Sequence, residues 1–257
     1  MVFVDTHCHL DASEFDADRQ DVAQAARAGG VETIVVPSVE RANFASVSAL
    51  CRDLPGCAPA YGIHPMFVER ACAEDLVALR ETLRSNPAIA VGEIGLDFFV
   101  AQRDEELQEY YFVEQLKIAR EFDLPVILHV RSAIDAVLKY VRRIPVRGGI
   151  AHAFNGSRSQ AEAFIALGFK LGFGGTLTFP RATRIRELAA KLPIDTIVLE
   201  TDAPDIPPSW LNRGRNAPGE LPRIAKTLAE LRGMTLLEVA QATTSTARAV
   251  LPRLAMH

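Results

Sequence analysis

Two histidines one residue apart, His7 and His9, follow the apolar run Val2-Phe3-Val4 in "VFVDTHCHLD". β-branched and aromatic residues suit a strand, and side chains along a strand alternate faces. Asp5, His7 and His9 therefore share one side, while Thr6, Cys8 and Leu10 take the other. Two imidazoles on one side of a strand end can aim at one ion. The pair alone fits metal ligation or simple hydrogen bonding to backbone equally well. Cys8 faces away and is left out of any ligand set.

The remaining polar residues decide between the two readings. His64 closes "YGIHP", Glu93 lies in "VGEIGLD" with Asp97 just beyond, and His129 and Arg131 sit in "PVILHVRS". His152 follows in "GGIAHAFNG", and Glu200 and Asp202 in "TIVLETDAP". Of six histidines, five fall at such places, and the sixth is the terminal His257. Scattered core or surface histidines would have no reason to gather there. A shared metal site does.

The elements that must position them alternate. Apolar stretches predict strands at 2–10, 32–39, 58–65, 88–97, 125–132, 148–156, 169–178 and 196–204. Helix-like stretches lie between them, among them "EDLVALRETLRSNP", "DEELQEYYFVEQLKIAREFD", "SQAEAFIALG" and "TRIRELAAKL", with two more at 219–232 and 235–248. Several strands are apolar along most of their length, as in parallel sheets buried on both faces. Eight strand–helix units in 257 residues predict an α/β fold, a (β/α)8 TIM-like barrel in one domain over 1–257, with its site at the C-terminal strand ends. A doubly wound open sheet is the alternative, but no G-x-G-x-x-G opens a helix. The glycines of "LGFGGT" are expected inside strand seven, for close packing or a bulge.

Imidazole suits zinc, iron, nickel or copper, and carboxylate oxygen also suits magnesium and manganese. His7, His9, His129 and His152 with Glu93 and Asp202 make six donors, too many for one catalytic zinc. They suit two ions ~3.5–4 Å apart sharing a carboxylate. Glu93, in the middle of the strand order, is the natural bridge.

Taken in order, "DTHCHLD", "YGIHP", "VGEIGLD", "PVILHVRSA", "FGGTLTFP" and "VLETDAP" resemble the motifs of the TatD family of metal-dependent hydrolases. "IVVPSVE", "FDLPVILH" and "LETDAPDIPP" are most similar to its YjjV-type branch. The resemblance runs from residue 2 to about 250. It implies an amidohydrolase-type barrel, two divalent cations and phosphodiesterase activity on DNA as a 3′–5′ exonuclease, often with magnesium. Carried over, His7, His9 and Asp202 would hold one metal, His129 and His152 the other, and Glu93 would bridge. His64 would lie close to substrate without being a primary ligand. Two departures fall near the expected mouth: Ser132 stands where members often have an acidic residue, and Ala217 where "RNEP" would place glutamate.

Such a centre performs metal-assisted hydrolysis, in which Asp202 can also act as general base. Arg131 is the leading phosphate-binding candidate, since guanidinium grips phosphate in a bidentate way. Arg181, Arg184 and Arg186 follow strand seven, and Arg213 and Arg215 follow strand eight. The ligand set alone also suits hydrolysis of a small amide, ester or lactone. Related barrels often bridge their metals with a modified lysine on strand four, where this chain has Glu93. A metal-bound scaffold without turnover is the third reading.

Composition narrows the partners. A net charge of -4 argues against unspecific coating of nucleic acid, which needs a basic surface, but leaves room for a local cationic site. No apolar run approaches the ~20 residues of a membrane span. With no basic leader before "VDTHCHLD" and no C-x-x-C pair among Cys8, Cys51, Cys57 and Cys72, a cytoplasmic protein with reduced thiols is expected. DNA is the expected substrate, Mg²⁺, Mn²⁺ or Zn²⁺ the expected cofactor, and no obligate protein partner is evident.

Overall fold

The computed structural model describes residues 1–256; His257 lies outside the described residues. Its strands are β1 (Phe3–Asp5), β2 (Val31–Pro37), β3 (Cys57–Tyr61), β4 (Ala90–Asp97), β5 (Val126–Arg131), β6 (Gly149–Ala151), β7 (Phe169–Phe173) and β8 (Ile197–Leu199). They form one sheet in sequence order, and each neighbouring pair is parallel. The edges approach where Thr6 N–H donates to Leu199 O at 3.1 Å, nearly closing the barrel. The expected barrel and its eight strands are present.

Around it run α1 (Arg19–Ala28), α2 (Phe44–Asp53), α3 (Ala73–Ser85), α4 (Glu105–Glu121), α5 (Ile134–Arg143), α6 (Arg158–Ala166), α7 (Thr183–Lys191), α8 (Leu221–Arg232) and α9 (Leu236–Val250). Two of them, α2 and α5, were absent from the sequence expectation. In α5 the signal was available: Ile134, Val137, Leu138 and Val141 recur at helical spacing, and the last three are buried.

Most strands are shorter than expected. β1 stops at Asp5 instead of residue 10, β6 at Ala151 and β8 at Leu199. The chain beyond remains extended but bonds to loops, as when His9 N–H donates to Ala203 O at 2.8 Å. The glycines of "LGFGGT" are divided: Gly172 lies within β7, while Gly174 and Gly175 follow it. Close packing is their reason, and Gly172 shows it best. A Cβ there would stand 2.1 Å from Glu200 Oε2, so only glycine leaves room for that carboxylate.

Two apolar bodies make the core. The larger lies between sheet and helices. The smaller fills the barrel with Val35, Ile89, Ile127, Ile150 and Val198, and α9 closes it with Ala247 and Val250. No helix among the described residues is long and apolar enough to cross a membrane.

Candidate metal centre

The polar residues collect at the other end of the barrel. His7 Nε2 lies 3.2 Å from His9 Nε2, 3.1 Å from Glu93 Oε2 and 3.6 Å from Asp202 Oδ1. His9 Nε2 is 3.6 Å from Glu93 Oε2 and 3.7 Å from Asp202 Oδ1. On the opposite side of the same carboxylate, Glu93 Oε1 faces His129 Nδ1 at 2.9 Å, His64 Nε2 at 3.6 Å and His152 Nε2 at 3.7 Å. Asp202 Oδ2 comes within 3.8 Å of His152 Nε2. All six expected donors, and His64, thus meet around Glu93. Their positions differ in one respect from the strand reading: His7, His9, His152 and Asp202 stand just past their strands, while Glu93 is inside β4.

Backbone bonding beyond the strands explains the convergence. Asp202 N–H donates to His7 O at 2.8 Å, which locks the loop after β8 to the histidine segment. Asp202, Ala153 and Ser132 have φ of +58°, +45° and +56°, so the chain turns abruptly after β8, β6 and β5. Non-glycine residues in this left-handed region cost roughly 1–3 kcal/mol each and gather at functional sites. Asn216, fully buried, donates to Thr201 O and Asp205 O, both at 2.8 Å, and holds the β8 loop in this path. Asp5 does the same from below. It accepts from Thr201 N–H at 3.0 Å and Thr201 Oγ1–H at 2.6 Å, while burial pushes its carboxyl up to about 8 against those bonds.

Three of the rings are oriented by a partner on their other nitrogen. His129 presents Nδ1 to Glu93 because its Nε2 is hydrogen-bonded to Asp97 Oδ2 at 3.0 Å. His152 presents Nε2 because its Nδ1 meets Glu200 Oε1 at 3.2 Å. Carboxylates behind the histidines of a metal site set tautomer and basicity in this way. His64 accepts the Met66 N–H on Nδ1 at 3.1 Å, leaving Nε2 toward the centre. In the sequence Asp97 and Glu200 stand at strand ends, and nothing but that position signals this role.

Charge in the cluster is poised for a cation. Burial alone would raise the Glu93 carboxyl, yet His7, His64 and His152 hold it well below the usual range. Burial lowers His7, and His152 beside it lowers it further; burial likewise lowers His64. Burial also opposes charge on His152, but Asp202, Glu200 and Glu93 outweigh it and lift the imidazole to about 10. Among protein groups alone, protons on imidazole balance the carboxylates. Divalent ions give the same compensation with neutral imidazoles as ligands, and the mixed nitrogen and oxygen donors suit them. Three donor groups lie close enough for this: His7, His9 and Asp202; His7, Glu93 and His152; His64, Glu93 and His129. Cys8 is buried in the apolar core, and burial drives its thiol well up.

The centre floors a cleft of about 1040 Å³. Arg131 and Arg184 line it, together with Phe99, Met66 and Phe67. The other arginines do not. Arg186 donates to Leu177 O at 3.0 Å, and Arg215 pairs with Asp18 at 2.6 Å. Arg181 and Arg213 are exposed away from the cleft lining. Ser132 lines the cleft, whereas Ala217 caps a short turn outside it.

Several known proteins are similar to this chain along nearly its whole length. The chain is 43% identical over 243 residues to the metal-dependent hydrolase YjjV of Escherichia coli, covering 93% of this chain and 94% of YjjV. The crystal structure of that TatD homologue superposes with a TM-score of 0.93, at 41% identity over 97% of this chain and 98% of the other. The 3′–5′ ssDNA/RNA exonuclease TatD of Escherichia fergusonii is 32% identical over 89% of this chain and 91% of its own. A variant of organophosphorus hydrolase from Deinococcus radiodurans, 14% identical, shares the fold with a TM-score of 0.68 over 97% of this chain and 92% of that one. The TatD related DNase family model matches residues 4–252. A barrel that gathers imidazoles and carboxylates at its open end, within a sequence matched almost throughout, makes this chain a member of the TatD family of metal-dependent hydrolases.

Proposed function

We propose that the chain is a 3′–5′ exonuclease that hydrolyses phosphodiesters of DNA with the help of two divalent cations, which Glu93 would hold in common. The observation that carries the reading is the division of Glu93: Oε2 faces His7 and His9, and Oε1 faces His129 and His152. His7, His9 and Asp202 would hold one ion and His129 and His152 the other, with Mg²⁺, Mn²⁺ or Zn²⁺ all compatible with the donors. Bound cations lower the pKa of water and neutralise charge on a phosphate oxygen.

The chain's own groups do the rest. Asp202, partly open to the cleft, takes the proton from the attacking water. Nε2 of His64 donates to a phosphate or leaving oxygen, because its Nδ1 is already occupied by the Met66 N–H. Arg131, exposed at the cleft, binds the phosphate backbone. Such a local basic element lets an acidic chain meet DNA. Four free cysteines fit a reducing compartment, and we place the protein in the cytoplasm.

The test uses metal-stripped protein with Mg²⁺, Mn²⁺ or Zn²⁺ restored and 5′-labelled single-stranded DNA. Stepwise shortening from the 3′ end that requires both metal and Glu93, and disappears in Glu93→Ala together with bound metal, is the expected result. No cleavage with any ion despite bound metal would overturn it in favour of a small ester, amide or lactone substrate.

A further inference from the structure

We propose that Phe99 and Arg131 form a platform on which an unpaired nucleobase stacks beside the metal centre; the inference rests on the nuclease reading above. Phe99 lies in the segment after β4, lines the cleft and is 63% exposed. The guanidinium of Arg131 covers one face of its ring, with Cζ 3.9 Å from the centroid. Among the described residues no carboxylate is within ion-pair distance of that guanidinium. The pair therefore offers an open aromatic surface with a cation attached. Such surfaces bind bases without sequence preference, through stacking and cation–π attraction.

The platform is registered with the centre. Phe99 N–H donates to Asp97 Oδ1 at 2.9 Å, and the other oxygen of this fully buried carboxylate meets His129 Nε2 at 3.0 Å. Phe98 N–H donates to Arg131 O at 2.8 Å, fastening the same segment to β5. One carboxylate thus positions both the ring and the imidazole that faces Glu93. The cleft is also asymmetric in charge. Asp11, Glu14 and Asp205 line it from the segments after β1 and β8, which carry His9 and Asp202, while Arg131 ends β5 and Arg184 reaches Asn155 after β6 at 2.7 Å. A polyanion is repelled from the acidic wall and runs toward Phe99. Inside a duplex both faces of a base are covered by its neighbours, so any base behind the terminal one reaches Phe99 only when it is unpaired. The platform selects single strands.

The decisive experiment compares two short oligothymidylates, one intact and one abasic at the nucleotide beside the 3′-terminal phosphodiester. For the wild-type protein the abasic site should raise KM about ten- to hundredfold. Phe99→Ala should raise KM on intact DNA by a similar factor, with kcat changed by less than about threefold, and should be indifferent to the abasic site. Phe99→Trp should restore both KM and the abasic penalty. Anisotropy of a dye-labelled oligothymidylate on the Asp202→Asn protein, with and without Phe99→Ala, should show the same loss in Kd. A Phe99→Ala protein that keeps the full abasic penalty, or loses kcat at unchanged KM, overturns the platform while the nuclease reading stands. A wild-type protein that cleaves neither oligonucleotide overturns both.

Discussion

The two ends of the barrel interior are built from opposite materials. At the closed end Val35, Ile127, Ile150 and Val198 pack against α9 in one apolar layer. At the open end Glu93, only 1% exposed, is surrounded by five imidazoles and a second carboxylate. The same strands supply both layers. β5 contributes Ile127 to the closed end and His129 to the open one; β6 contributes Ile150, and His152 follows directly. Apolar contacts are weak and numerous, so the closed end tolerates graded change. The open end depends on a few groups whose loss leaves buried charge unbalanced. Stability lives in the first layer and chemistry in the second.

That contrast can be broken at several points. Asp202→Asn should have the largest effect, lowering kcat by ~10²–10⁴-fold while the thermal midpoint and circular dichroism stay close to wild type. Near-wild-type turnover on every active substrate would remove Asp202 from the chemistry. At the opposite end, Ile127→Ala should cost about 2–5 kcal/mol of unfolding free energy in urea. Turnover per folded molecule should hardly change, and a collapse of kcat in the folded protein would show that the two layers are not separable.

Glu200→Gln touches the seam between them. It keeps the shape of the side chain that holds His152 Nδ1 but weakens its pull, so metal affinity should fall ~10–100-fold, as measured by competition with a chelating dye. An unchanged affinity would reduce Glu200 to a filler of the space above Gly172. The smallest effect is a slope with pH. In metal-stripped protein His152 is lifted from its ordinary 6.5 to about 10. A raised imidazole contributes stability that is full below the unfolded value and lost as pH climbs toward the folded one. The thermal midpoint of stripped protein should therefore decline from about pH 6.5 upward, and the metal-loaded protein should lack that decline. Parallel curves would mean that the imidazole is not balancing the carboxylates.

Much of this architecture was legible because strand ends in a barrel share one mouth. Residues far apart in sequence, such as His7 and His129, could be assigned to one site from their place after an apolar run. Strand lengths are not legible in the sequence because composition reports burial, not pairing: Thr6 to His9 stay buried or half-buried after β1 has ended. The arginines could not be sorted either. Arg186 and Arg215 are spent on Leu177 O and Asp18, while Arg131 covers Phe99, and no local pattern distinguishes these fates.

By itself, then, the chain determines the barrel, its strand order and the chemical types at its mouth, since these follow from hydrophobic runs and their punctuation. Only the tertiary structure decides that the oxygens of Glu93 face two different sets of imidazoles. It alone gives His129 and His152 their orientation through Asp97 and Glu200, and brings Phe99 under Arg131. These are distances between side chains on different strands, and they arise when the sheet curves round on itself.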